Sequence, residues 1–166
     1  MTKPLPWKVA WITGASSGIG REIALQLAGR GVTVAASARS TEQLAGLPGI
    51  HAYPLDVTDA TAVRTTLQRI ATELGAIDLA VMAAGTYQPL AIDDFDVANF
   101  SGTMAVNYSG VVHGLAALLP AMLGRGTGHV DGGVGGVAGI AIIARDSDAD
   151  QDCGDIVGLR AIKDGG

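Results

Sequence analysis

Apolar residues in the first 130 positions come in two alternating rhythms. Val9–Thr13 is a short, nearly unbroken apolar run that ends in a glycine turn. Ile19, Ile23 and Leu27 then recur at a spacing of four, the rhythm of a helix face, and Gly31 is placed to close that helix. Val32–Ser37 is a second strand-like run and His51–Leu55 a weaker third. Thr58 or Asp59 is suited to cap a helix whose apolar stripe is Val63, Leu67, Ile70, Ala71 and Leu74, with Gly75 just past its end. Ile77–Met82 reads as a buried strand. Phe100, Met104, Asn107, Val111, Leu115 and Leu118 follow a 3/4 spacing that predicts one long helix, kinked at Pro120, and Gly128–Val130 opens a further strand. Continuous apolar strands alternating with amphipathic helices predict an α/β fold, a doubly wound parallel sheet with helices on both faces.

The rhythm stops near residue 130, and composition changes with it. Residues 1–130 carry nine acids against eight bases, a net of -1. Residues 131–166 carry seven Asp against Arg145, Arg160 and Lys163, a net of -4, with nine of the 24 glycines and no aromatic residue. Such a segment has little to pack with and much chain entropy to lose. The expected organisation is therefore a well-specified folded unit over 1–130 and an atypical Gly/Asp-rich tail over 131–166.

The totals narrow the function. A length of 166 residues suits one domain. The single cysteine, Cys153, excludes a disulfide framework or a multi-cysteine zinc site, and no metal site is expected. Asp146, Asp148, Asp150 and Asp152 alternate like a calcium loop but lack its glycine and glutamate, and read as a solvated acidic run. A pI near 4.9 argues against nucleic acid as a partner. Leu115–Leu123 and Ala138–Ala144, the longest apolar runs, are too short to span a bilayer, and Met1–Lys8 has no apolar signal core. The expectation is a soluble cytoplasmic protein with no membrane partner.

The chemistry begins at Thr13-Gly14-Ala15-Ser16-Ser17-Gly18-Ile19-Gly20, where the first strand meets the first helix. Gly14 permits a tight turn, Gly18 lets a pyrophosphate approach the backbone, and Gly20 lets helix and strand pack closely. Free N–H groups at the helix start would face the anion. Asn107 stands out separately, as an amide in an apolar stripe that must find partners or cost about 1–3 kcal/mol.

This loop resembles the cofactor loop of the short-chain dehydrogenases/reductases, Thr-Gly-x-x-x-Gly-x-Gly. The likeness continues through Asp56-Val57, similar to the pair that contacts adenine, and Ala84-Gly85, similar to the end of the Asn-Asn-Ala-Gly strand, with Met82 and Ala83 at the two Asn positions. Asn107, Gly110 and Leu119-Pro120-x-Met122 match the long central helix. Residues 7–130 carry the resemblance. It implies a Rossmann-type sheet, C-terminally incomplete relative to the family. It also implies reversible hydride transfer between a nicotinamide and a small carbonyl or alcohol substrate, and homo-oligomers. The implied cofactor contacts are Gly14, Ser16, Ser17, Gly18, Ile19, Gly20, Arg39, Asp56, Val57, Ala84 and Gly85. Asn107 is the implied catalytic-site residue, organising water toward the family's lysine; the other reading of its own residues is a satisfied structural amide bonding a neighbouring carbonyl. The second strand ends Ser37-Ala38-Arg39, with alanine where an acid would select NAD. Arg39 either pairs with a 2′-phosphate or opens a solvated loop, and NADP(H) is favoured over NAD(H).

The family's Ser, Tyr and Lys are missing. No Tyr-x-x-x-Lys occurs in the chain, and alignment on Val137-Ala138-Gly139 puts Gly136, Ala149 and Cys153 at the three positions. The alternative is therefore a catalytically dead nucleotide-binding module, or a truncated fragment. Read one base late, the Val134/Gly135 junction can encode Ser and the Gln151/Asp152 junction Lys or Arg, at the family's Ser-to-Lys separation. No shifted codon at Ser147 gives Tyr. Residues 131–166 are thus predicted to be a frame-shifted, misassigned or otherwise corrupted stretch, and sequencing the coding DNA through codon 166 tests this. One uninterrupted frame through codon 166 rules this out.

Overall fold

In the computed structural model, which describes residues 5–89, 93, 95–132 and 142–144, strand β1 (Val9–Thr13) is buried along its whole length. Its side chains alternate between two separate apolar layers. Val9 and Trp11 face helices α2 (Ala60–Glu73) and α4 (Gly110–Arg125), while Ala10 and Ile12 face helix α1 (Gly18–Gly29). This explains why the strand reads as a continuous apolar run: a strand covered on both faces has no polar side to show. The remaining strands are β2 (Thr33–Ala38), β3 (Ile50–Pro54), β4 (Leu79–Met82), β5 (Gly128–Gly132) and β6 (Ile142–Ala144), in the order β3-β2-β1-β4-β5-β6. β1 to β5 run parallel, with Trp11 opposite Ala35 on one side and Ala80 on the other. The expected α/β, doubly wound parallel sheet with helices on both faces is present.

β6 departs from it by pairing antiparallel to β5. The link over 133–141 is shorter than the dozen or so residues that a parallel crossover needs. The remainder of the expected 131–166 tail lies outside the described residues.

The helices form where caps and stripes predicted them, with three corrections. Asp59 caps α2, its Oδ1 accepting from the N–H groups of Thr61 and Ala62 at 2.9 Å each. Val63, Leu67 and Ile70 are buried, but Ala71 is exposed, since one residue turns the helix by about 100°. Of the α1 stripe Ile23 and Leu27 reach the core, beside Ala24, whereas Ile19 is 71% exposed. A strict spacing of four drifts about 40° per step, and the first turn overhangs the end of the sheet. The expected long helix is three pieces: α3 (Val97–Met104), a π-helical turn over Ala105–Ser109, and α4. Its stripe is buried only from Val111 onward, and Phe100 and Met104 are about half exposed. Pro120 lies inside α4 without ending it.

The rod Val97–Arg125 is long and apolar enough, at a mean hydropathy of 1.3 over its best window, to cross a membrane. The sequence reading missed this because Gly, Ser and Tyr interrupt the apolar run. Val111, Leu118 and Met122 are in the core beneath α4, as befits a helix packed on a sheet.

Polar anchors fix the two ends of the sheet. At the amino ends, the Asp78 carboxylate accepts from the N–H groups of Lys8 (2.8 Å) and Val9 (3.2 Å). The Asp78 N–H donates to Val9 O, and its carbonyl accepts from His129, so one residue joins β1, β4 and β5. At the far edge Tyr53 on β3 donates its hydroxyl to Glu73 Oε2 on α2 (2.8 Å), and Arg69 pairs with Glu73 and lies 5.2 Å from the Tyr53 ring centre. Burial, then the Glu73 carboxylate, pushes the Tyr53 hydroxyl up to about 12. Between its ordinary value near 10 and 12, the folded chain holds a proton that the unfolded chain has lost. This contribution to stability is complete below pH 10 and disappears as pH rises through 12. Urea denaturation across that window is expected to show the loss, and Tyr53→Phe to flatten it. An equally steep loss in Y53F assigns it to another group.

Candidate functional site

The strand order reverses at β1, with β2 on one side and β4 on the other, so the chain segments leaving the carboxyl ends of these strands diverge and leave a crevice. A cleft of about 770 Å³ opens there. Its floor is the loop from β1 into α1, with Gly14, Ser16, Ser17, Gly18, Ile19 and Gly20. One wall comes from the end of β2 (Ser37, Ala38, Arg39) and the segment after β3 (Leu55, Asp56, Val57). The other comes from the segment after β4 (Ala83 to Thr86, and Gln88) and from α3 with the first turns beyond it. Every residue that the sequence assigned to a cofactor is brought to this one cleft, with Ala84 and Gly85 on the second wall. Asn107 does not line it and stands behind Thr86.

The three glycines of the floor do different jobs. Gly14 has φ +66°, and a Cβ there would sit 2.6 Å from the carbonyl oxygen of Ala83. Gly20 has an ordinary φ, but a Cβ would lie 2.6 Å from the Gly14 carbonyl oxygen. The loop, α1 and the end of β4 therefore meet backbone to backbone. Gly18 has φ +54° and open space around it, so its backbone is bare toward the cleft. Ser17, the residue before α1, makes no side-chain capping bond, which leaves the first amides of the helix to whatever the cleft holds.

The walls are fixed by short-range bonds. Asp56 Oδ1 accepts from the Thr58 N–H (2.9 Å) and hydroxyl (2.7 Å). These two bonds hold its carboxyl below the usual carboxylate range, with a smaller contribution from the Arg39 guanidinium. Arg39 is exposed at the mouth. On the other wall Thr13, 2% exposed at the end of β1, accepts the Ala84 N–H on its Oγ1 at 3.0 Å. Asn107 Oδ1 accepts the Thr86 N–H (2.7 Å) and its Nδ2 donates to the Thr86 carbonyl (2.8 Å). One amide thus satisfies both backbone groups of one residue, and Asn107 is half-buried rather than enclosed in an apolar stripe. It projects from the π-helical turn, a local widening that often marks functional positions.

Sequence reasoning missed Thr86 and Asn99, and placed Thr13 in the loop motif without giving its side chain a role. Thr13 carried a signal, a hydroxyl ending an apolar strand. Thr86 is recruited through its backbone, which no residue type announces. Asn99 lines the cleft from α3, and its Oδ1 is buried without a hydrogen-bond partner among the described residues. Gly136, Ala149 and Cys153 lie outside the described residues. The glycine geometry predicts a ranking. Gly18→Ala is expected to cost about 1–2 kcal/mol from its left-handed backbone alone. Gly14→Ala adds a backbone clash, so its thermal midpoint falls further. Equal losses would show that the contact with Ala83 is relieved freely.

Comparison with known proteins agrees with this arrangement. The family described as short chain dehydrogenase matches residues 8–131. The chain is 37% identical over 135 residues to glycine betaine reductase ATRR of Emericella nidulans, covering 76% of this chain and 11% of that protein. It is 35% identical over 129 residues to the uncharacterized oxidoreductase SH0585 of Staphylococcus haemolyticus, covering 74% of this chain and 56% of that one. Among solved structures it resembles a gluconate 5-dehydrogenase from Burkholderia cenocepacia, in complex with NADP and tartrate, at a TM-score of 0.69 and 28% identity, covering 75% of this chain and 52% of that one. The chain spans at most about half the length of these proteins, and over that span it belongs to the short chain dehydrogenase family.

Proposed function

We propose that this chain holds NADP(H) across the β1/β4 crevice, as the nucleotide-binding part of an oxidoreductase that interconverts a small carbonyl compound and its alcohol. The observation that carries the reading is the bare floor of the cleft: open backbone at Gly18 and uncapped amides at the start of α1, flanked by an exposed cation at Arg39. The residues fit such a group. Amides over Gly14, Ser16, Ser17, Gly18, Ile19 and Gly20 would hold a pyrophosphate. Arg39 would pair with the 2′-phosphate, Asp56 and Val57 would seat the adenine, and Ala84 and Gly85 would leave room for the second half of the dinucleotide. Bound there, the nicotinamide would take a hydride from an alcohol carbon, or return one to a carbonyl. Asn107 would fix the Thr86 backbone beside the reacting atoms. The relative solved with NADP supports the choice of cofactor.

A second reading has its own observation. No Tyr-x-x-x-Lys is present in the 166 residues, so the proton lost by the alcohol has no such acid/base pair to receive it. On this reading the chain binds the dinucleotide without turning it over. A cytoplasmic location goes with either reading. Homo-oligomers are supported by an exposed apolar strip of Val97, Phe100, Met104, Tyr108 and Val112 along the helical rod.

Calorimetry with NADPH and NADH, followed by turnover on a carbonyl panel, tests both. NADPH is expected to bind more tightly than NADH. Arg39→Ala is expected to weaken NADPH about tenfold, the worth of one charge-assisted hydrogen bond, and to leave NADH nearly unchanged. Equal losses for both would end the assignment of Arg39 to the 2′-phosphate. Binding without turnover favours the second reading; turnover removes it.

A further inference from the structure

We infer that His113 on α4 is a positioning residue for the adenosine side of the cleft. Its Nδ1 lies 2.9 Å from the carbonyl oxygen of Val57. A carbonyl can only accept, so Nδ1 carries the proton. Val57 is 8% exposed, lines the cleft, and follows directly on Asp56. One turn earlier on the same helix, a Cβ at Gly110 would lie 2.7 Å from Val57 Cγ2, so α4 touches this residue at its side chain and at its carbonyl.

The other fixed points of the 55–58 segment make His113 the one that sets its tilt. The Leu55 N–H donates to Ala38 O at the end of β2. The Asp56 carboxylate is closed on Thr58, and the Asp59 N–H donates to the Asp56 carbonyl. These bonds stay within the segment or hold its entry. Among the described residues, only the bond from His113 comes from a separate helix, α4, packed in the same apolar layer as Val57, and it fixes the peptide plane after Val57. Six residues earlier on the same rod Asn107 holds Thr86 on the other wall. The single stretch 107–113 therefore bonds to the backbone of both walls.

This inference rests on the proposed binding of NADP(H), and the probe is adenosine 2′,5′-bisphosphate, which reaches only the side of Arg39 and Asp56. His113→Leu removes the donor; His113→Asn keeps one, since its Nδ2 occupies the place of Nδ1. At a temperature where circular dichroism shows each variant fully folded, H113L is expected to bind the bisphosphate about 5–10-fold more weakly than the wild type, and H113N to recover most of the loss. Unchanged binding in H113L, or a loss in H113N as large as in H113L, overturns the inference while leaving nucleotide binding intact. No binding by the wild-type chain overturns both. If H113L does not fold, nitrogen NMR of the wild type decides. A ring protonated at Nδ1, whose signal moves when the bisphosphate is added, supports the inference. A neutral ring protonated only at Nε2, or an unmoved signal, overturns it.

Discussion

Three stretches of main chain meet at the end of β1 with no side chain between them, and the rest of the molecule is arranged around that contact. Gly14 touches the Ala83 segment on one side and Gly20 on the other, each at a separation that a single methyl group would destroy. Because the contact is so close, α1 starts directly beneath the loop and lays Ile23 and Leu27 on the sheet. Because Gly14 also abuts the residues leaving β4, the loop and the second wall of the cleft share one fixed point, reinforced by Thr13 on Ala84. The crevice is thus a by-product of how the two halves of the sheet are joined. A ligand would find it already formed, which lowers the ordering cost of binding.

The division of the sheet into two apolar layers explains the uneven legibility of the sequence. β1, β2 and β4 were readable as strands because burial on both faces makes them uniformly apolar, and α2 was readable because one face is solvated and its cap is an aspartate. Ile19 and Phe100 were misread for a common reason. Periodicity reports which residues share a helix face, and it is silent on where the neighbouring layer ends. Both residues lie on the predicted face, but Ile19 overhangs the sheet and Phe100 lies before the stretch of the rod that packs against it. The antiparallel β6 was invisible because a three-residue strand carries no periodic signal.

The site was more legible than the packing. Glycines that must have no side chain, a cation in place of an acid, and a polar residue in an apolar helix are all exceptions to local rules, and such exceptions concentrate where backbone approaches backbone or ligand. What the sequence could not supply were contacts made through main-chain atoms. Thr86 and Val57 matter for their peptide groups, which every residue possesses. Asn107 and His113 reach those groups from one rod, and their shared role is a property of distances, not of residue types. The π-helical turn between α3 and α4 is equally silent, since no composition announces one extra residue in a turn.

The chain has two tryptophans, and the fold puts one in each layer. Trp7 lies in the layer under α1, 5.8 Å from the His129 ring, while Trp11 lies in the layer under α2 and α4 with its indole N–H on Ser37 at 2.9 Å. One indole has an imidazole as neighbour and the other a hydroxyl, so the two have different quenchers and emission environments. Intrinsic fluorescence is therefore a built-in pair of optical labels, one for each side of the sheet. Loss of one layer ahead of the other would appear as a change in emission colour before a change in overall intensity.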